Sequence, residues 1–172
     1  MFAFDPGYRH ESGAGWAYLE NGMVVDAGIA SAGRSGHRHG ELLGGLDKIF
    51  NVLHQLEPVF ERYSQVEILA AEIMRWYPNK RDSRPNTLIP LSVLSGFVLG
   101  RIDAQEYVYP TPQEWKGTVS KDVHNKRTER ALTNDEMKIV TESCSYAKRH
   151  NVVDAVALAK WASGRWKSVT LH

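Results

Sequence analysis

The chain opens on Phe2-Ala3-Phe4, a short apolar run stopped by Asp5-Pro6-Gly7, a pattern that predicts a buried strand ending in a turn. Two more apolar runs, residues 15–19 and 23–29, are separated by Glu20-Asn21-Gly22. Asn-Gly between such runs signals a hairpin, because the tight turn needs positive φ at its central residues. The first third therefore reads as an antiparallel meander. From residue 40 to about 56 the period changes. Leu42, Leu43, Leu46, Ile49, Phe50, Leu53 and Leu56 recur at helical spacing and make one wide apolar stripe. Residues 66–71 read as a central strand delivering Glu72 at its tip, and residues 86–102 as a second helix. Tyr107-Val108-Tyr109-Pro110 reads as a strand, and residues 111–115 as a short helical turn. Residues 116–127 are polar and predict an ordered loop or helix start; residues 126–145 predict a weakly amphipathic helix, and 151–163 a strongly apolar last one. This order predicts an α/β fold, a mixed sheet flanked by helices.

Composition narrows the class. A length of 172 residues suits one domain over the whole chain, 1–172, and an apolar content of 42% with 24% charged residues is ordinary for a packed globule. No apolar run approaches the ~20 residues of a membrane span, and Met1 to Asp5 lacks the layout of a signal peptide. With Cys144 as the single cysteine, neither an internal disulfide nor a thiolate zinc site is available. A soluble, cytoplasmic protein is expected, without membrane partners. The net charge of +1 carries no nucleic-acid signature, but its distribution does shift the picture. Residues 1–70 hold nine acidic against five basic side chains, whereas residues 71–172 hold sixteen basic against eleven acidic.

The candidate chemistry lies in three acids. Taken singly, each has an ordinary reading. Asp-Pro-Gly is common turn chemistry, a strand tip tolerates a polar Glu72, and Asn151-Val152-Val153-Asp154 approximates a capping box with Asn151 as the cap. Together they say more. A sheet of the predicted topology sets Asp5 and Glu72 on adjacent strand ends, and Asp154 opens a helix whose Val153, Val156, Ala157, Leu158 and Trp161 suit only a place against the sheet. Carboxylates gathered in this way repel one another, and hard divalent cations are the usual remedy.

Phe4-Asp5-Pro6-Gly7, Gly13-Ala14-Gly15-Trp16-Ala17, the strand-end Glu72, and the run from His150 to Ala159 together resemble the RuvC-type Holliday-junction resolvases, especially small phage-encoded ones. The resemblance covers nearly the whole chain. It implies a ribonuclease-H-like fold, with three antiparallel and two parallel strands, and a homodimer in the cytoplasm, the host's if phage-encoded. It also implies two Mg²⁺ or Mn²⁺ ions per site and symmetric nicking of four-way or other branched DNA. On the same basis Asp5 matches the first-strand ligand and the bridge between the ions, Glu72 the strand-end ligand and Asp154 the acid of the final helix. The fourth ligand of the family, an acid or a histidine, falls on Asn151. Either Asn151 lends its carbonyl oxygen or His150 supplies an imidazole from the preceding turn, with His150 preferred.

Lys116 corresponds to a family lysine near the scissile phosphate, and Lys121 or Lys126, with Arg127 beside it, to a second basic contact. Arg75-Trp76-Tyr77 stands where related enzymes carry an aromatic wedge, and Lys80, Arg81 and Arg84 extend that segment as a DNA-facing arm. Trp76 either stacks on unpaired bases or packs on the core. Two other readings stay open: a ribonuclease H acting on hybrids, with Glu41 as its helix-borne acid, and a junction-binding module without catalysis. Residues 35–40, rich in glycine and histidine, suggest a basic loop.

Overall fold

The computed structural model describes residues 1–7, 13–33, 42–73 and 85–164. Strands β1 (Phe2–Asp5), β2 (Ala14–Glu20) and β3 (Met23–Ala30) form the expected meander. Asn21 and Gly22 turn the hairpin with φ of 50° and 73°, the left-handed backbone that its sequence anticipates. Helix α1 (Leu42–Arg62) then leads to β4 (Gln65–Ala71), and α2 (Pro85–Arg101) to β5 (Asp103–Val108). The chain continues through α3 (Pro112–Lys116), α4 (Lys121–Ala131), α5 (Asn134–Glu142), a 3-10 turn (Tyr146–Lys148) and α6 (Arg149–Ala162). The sheet order is β3-β2-β1-β4-β5, with β1 antiparallel to β2 and parallel to β4. This is the mixed five-stranded sheet expected from the sequence.

Alternation along the strands divides side chains between the two faces, with the large aromatics on one and several alanines on the other. Phe2, Phe4, Trp16 and Leu69 point toward α1 and α2, where they meet Ile49, Val52, Leu56, Leu94 and Val98. Ala3, Ala17, Ala27 and Ala70 point the other way. These small residues let α6 lie close against the sheet, with α5 and α3 packed beside it. Residues 151–160 of α6 are buried without interruption, because the sheet covers one side and α4 and α5 cover the other.

Several sequence expectations are corrected. Helix α1 runs past Leu56 to Arg62, since the exposed Pro58 costs only a solvent-facing bond and Phe60 extends the buried stripe. Phe50 lies off that stripe and is exposed. Strand β5 begins at Asp103 rather than Tyr107. Its polar start hid it, and those residues are exposed because β5 is an edge strand. In place of one helix over 126–145 there are two, and the first begins at Lys121. The break comes at Thr133, whose hydroxyl caps α5 while Glu136 reaches back to the Thr133 backbone N–H. Finally, Asn151 is not a cap. Helix α6 starts at Arg149, so His150 and Asn151 lie in its first turn and Asp154 in its second.

Candidate active site

The strand period decides where the acids point. Asp5 shares its face with Ala3, and Glu72 with Ala70, so both project toward α6 at one rim of the sheet. Glu72 lies one residue beyond β4. Its backbone N–H donates to Phe4 O at 3.4 Å, and the next residue, Ile73, donates to Pro110 O at 3.0 Å. Asp154 arrives from above. It is 1% exposed, in the interior of α6, which removes the capping explanation for this acid.

Gly15 brings α6 to the rim. It pairs directly with Asp5 in the β1–β2 register. A Cβ built on Gly15 would lie 2.1 Å from the carbonyl oxygen of Asn151, so only glycine admits the first turn of α6 at this depth. The three carboxylates consequently share one electrostatic field. The Asp5 carboxyl is held well above the ordinary range, first by burial and then by the charges of Asp154 and Glu72; Lys121 and Lys116 oppose this only in part. Glu72 is raised too, chiefly by burial, although Lys116 and the Trp115 indole work against it.

Two lysines stand among the acids. Lys121 Nζ pairs with Asp154 Oδ2 at 2.8 Å and donates to Asn151 Oδ1 at 3.3 Å. Lys116 Nζ reaches Glu72 Oε2 at 3.4 Å, and the Trp115 Nε1–H donates to the same oxygen at 3.0 Å. Burial works against the charge of Lys116, yet Glu72, Asp154 and Asp5 outweigh it and raise its pKa. Asn125 completes the shell. In the amide orientation that suits both of its polar atoms, its nitrogen donates to Asp154 Oδ1 at 2.8 Å. His150 is half-buried, and burial and Lys121 lower its pKa, while Asp154 acts in the opposite direction. The lowered pKa favours the neutral ring, the form in which an imidazole ligates a metal.

Among the described residues no three His, Cys, Asp or Glu side chains converge closely enough to grip an ion as they stand. The sequence led us to expect acids balanced by cations from outside, and here Lys116 and Lys121 offset part of their charge. The donor chemistry nonetheless suits a hard divalent ion, being carboxylate and amide oxygen with no thiolate. Lys126 is exposed and Arg127 half-buried on α4. Arg75, Trp76, Tyr77, Lys80, Arg81, Arg84, Glu41 and the loop 35–40 lie outside the described residues.

Sequence reasoning missed Trp115, Asn125 and Gly15. Starting α4 at Lys121 exposes the signal for Asn125, because Lys121, His124, Asn125 and Thr128 then fall on one helical face. His124 is buried with its ring edge-on to Trp115, 5.0 Å between centroids, and so braces the indole that holds Glu72.

No protein-family model and no curated protein matches the chain. Among solved structures, it is similar to Thermus thermophilus RuvC in complex with a Holliday-junction substrate, at 13% identity, a TM-score of 0.54 and coverage of 97% of each chain. A second Thermus thermophilus RuvC structure aligns over 93% of this chain and 92% of its own, at 16% identity and a TM-score of 0.46. Similarity at this level of identity speaks to architecture, and with the strand order above it establishes that the chain has the RuvC-type, ribonuclease-H-like fold.

Proposed function

We propose that residues 1–172 form a nuclease domain that hydrolyses phosphodiesters in four-way or other branched DNA with the help of divalent metal ions. One observation carries the reading: Asp5, Glu72 and Asp154, from a strand end, the neighbouring strand end and a buried helix, stand near enough at the sheet rim for their charges to act on one another. Crowding three acids at one rim, Asp154 buried and Asp5 and Glu72 half-buried, is unfavourable for folding alone, which points to a ligand that needs them. The RuvC structure bound to a Holliday junction supplies the substrate class by analogy of fold.

Asp5, Glu72 and Asp154, with His150 or Asn151 as the fourth partner, would hold two Mg²⁺ or Mn²⁺ ions. When bound, such a pair activates the attacking water and stabilises the leaving oxygen. The chain's own residues do the rest. Trp115 and Asn125 orient Glu72 and Asp154 by hydrogen bonds at the carboxylate oxygens. Lys116 and Lys121 must leave those carboxylates for ions to enter, and their ammonium groups are then free to bind phosphate oxygens. The same reading takes the protein as a homodimer, one site for each strand to be cut, and keeps the segment 75–84 as a DNA contact.

The test is incubation of a synthetic four-way junction with Mg²⁺ or Mn²⁺, comparing the wild type with Asp5→Asn. Paired nicks by the wild type and none by the variant are expected. Unchanged cutting by the variant would overturn the proposal, and binding without cutting by the wild type would leave a non-catalytic junction binder.

A further inference from the structure

The 3-10 turn before α6 carries an exposed aromatic that no core contact explains. Tyr146 is 83% exposed, and one face of its ring is covered by the Arg149 guanidinium, 5.0 Å from the centroid. Arg149 is half-buried and makes no ion pair with a described carboxylate; its Nε is buried without a hydrogen-bond partner. Here is a half-buried cation, without a described counter-charge, beside a flat ring with one open side.

The position is tied to the sheet rim. Lys148 Nζ donates to Ser31 Oγ at 2.6 Å, which anchors the turn over the end of β3. Ala30 at that end pairs with Ala14, and Gly15 beside it pairs with Asp5. Two strand spacings separate the anchor from β1, roughly 10 Å at ~4.8 Å each. That is the rise of about three nucleotides at ~3.4 Å per step along one strand.

We infer that Tyr146 and Arg149 form a contact for the nucleic-acid strand that leaves the carboxylate site, with the open face of the tyrosine stacking a base and the guanidinium bonding an adjacent phosphate. A tyrosine ring takes any base, and an arginine presents donors that match phosphate oxygens. A polyanion also answers the absence of an ion pair between Arg149 and any described carboxylate. The inference rests on the proposed action on DNA, since it places a strand at the rim.

The experiment measures binding of a fluorescently labelled four-way junction by anisotropy in EDTA, so that strands stay intact, across a series of salt concentrations. Tyr146→Ala should weaken binding roughly fivefold or more, while Tyr146→Phe, which keeps the ring, should stay within about twofold. Arg149→Ala should lower the slope of log affinity against log salt by about 1, and Arg149→Lys should keep it. Wild-type affinity and slope in both alanine variants would overturn the inference and leave the nuclease reading intact. Absence of binding by the wild type itself would instead overturn the nuclease reading and this contact together.

Discussion

Gly15→Ala tests whether backbone packing places the carboxylates. The added methyl carbon would fall 2.1 Å from Asn151 O, and the obstructing atom is helix backbone that no rotamer change can move. Carbon–oxygen contacts settle near ~3.3 Å, so α6 has to retreat by about 1 Å from β2. Val152, Val153 and Val156 of this helix are wholly buried, and the retreat loosens them. Overpacking of this kind costs about 1–3 kcal/mol, and each kcal/mol lowers Tm by roughly 2–4 °C in a chain of this size. The protein should therefore stay folded at 25 °C. Activity should suffer far more. Asp154 moves with Asn151 on the same rigid helix while Asp5 stays in the sheet, and a misplacement of ~1 Å costs on the order of 100-fold in rate. The assay pairs a thermal melt followed by circular dichroism with single-turnover cleavage of a four-way junction. Wild-type melting and cleavage in Gly15→Ala would refute the reasoning, because the close approach would then have no mechanical consequence.

The buried pair of Glu136 and Lys160 gives a second prediction. Burial opposes ionisation of Glu136, but bonds from Lys160, Thr133 and Val24 prevail and hold its carboxyl below the ordinary range. Lys160→Met should destabilise the fold by about 3 kcal/mol, the low end for a broken buried pair, since Val24 N and Thr133 N still donate to the carboxylate at 2.9 and 3.0 Å. A depressed folded pKa contributes stability above the unfolded value that is lost as pH falls through the folded one. Urea melts should show the gap to wild type closing below about pH 4, and a gap unchanged at acid pH would count against the assignment. Asp5 has the opposite sign. Its raised pKa makes the ionised form a cost at neutral pH that fades as pH falls toward the unfolded value. Asp5→Asn in EDTA should melt above the wild type at pH 7, and a lower Tm would mean that the three acids do not strain one another.

Much of the fold was legible because local rules carried it. Asn21-Gly22 set the hairpin, the apolar stripe from Leu46 to Leu56 marked α1, and the strand-end position of Glu72 followed from the run before it. Elements that depend on neighbours were less so. The polar start of β5 is tolerated because no described strand pairs on its far side, and α4 was hidden by a sequence that buries mainly polar residues, His124, Asn125 and Thr128. The break at Thr133 was readable, as Thr-x-x-Glu is a capping box, but the polar run around it masked the boundary.

The amino-acid order alone determined which residues are candidates for chemistry and which strand ends hold them, because each strand acid closes a short apolar run; that Asp5 and Glu72 share a face follows from the register of β1 on β4. It did not determine what meets them there. Trp115, Asn125, Lys121 and Gly15 act on the acids through contacts between elements far apart in the chain, and the depth of α6 is set by one backbone approach. Periodicity describes the face of a single helix or strand. Only packing fixes how far one element stands from another, and the field that three carboxylates share depends on that separation.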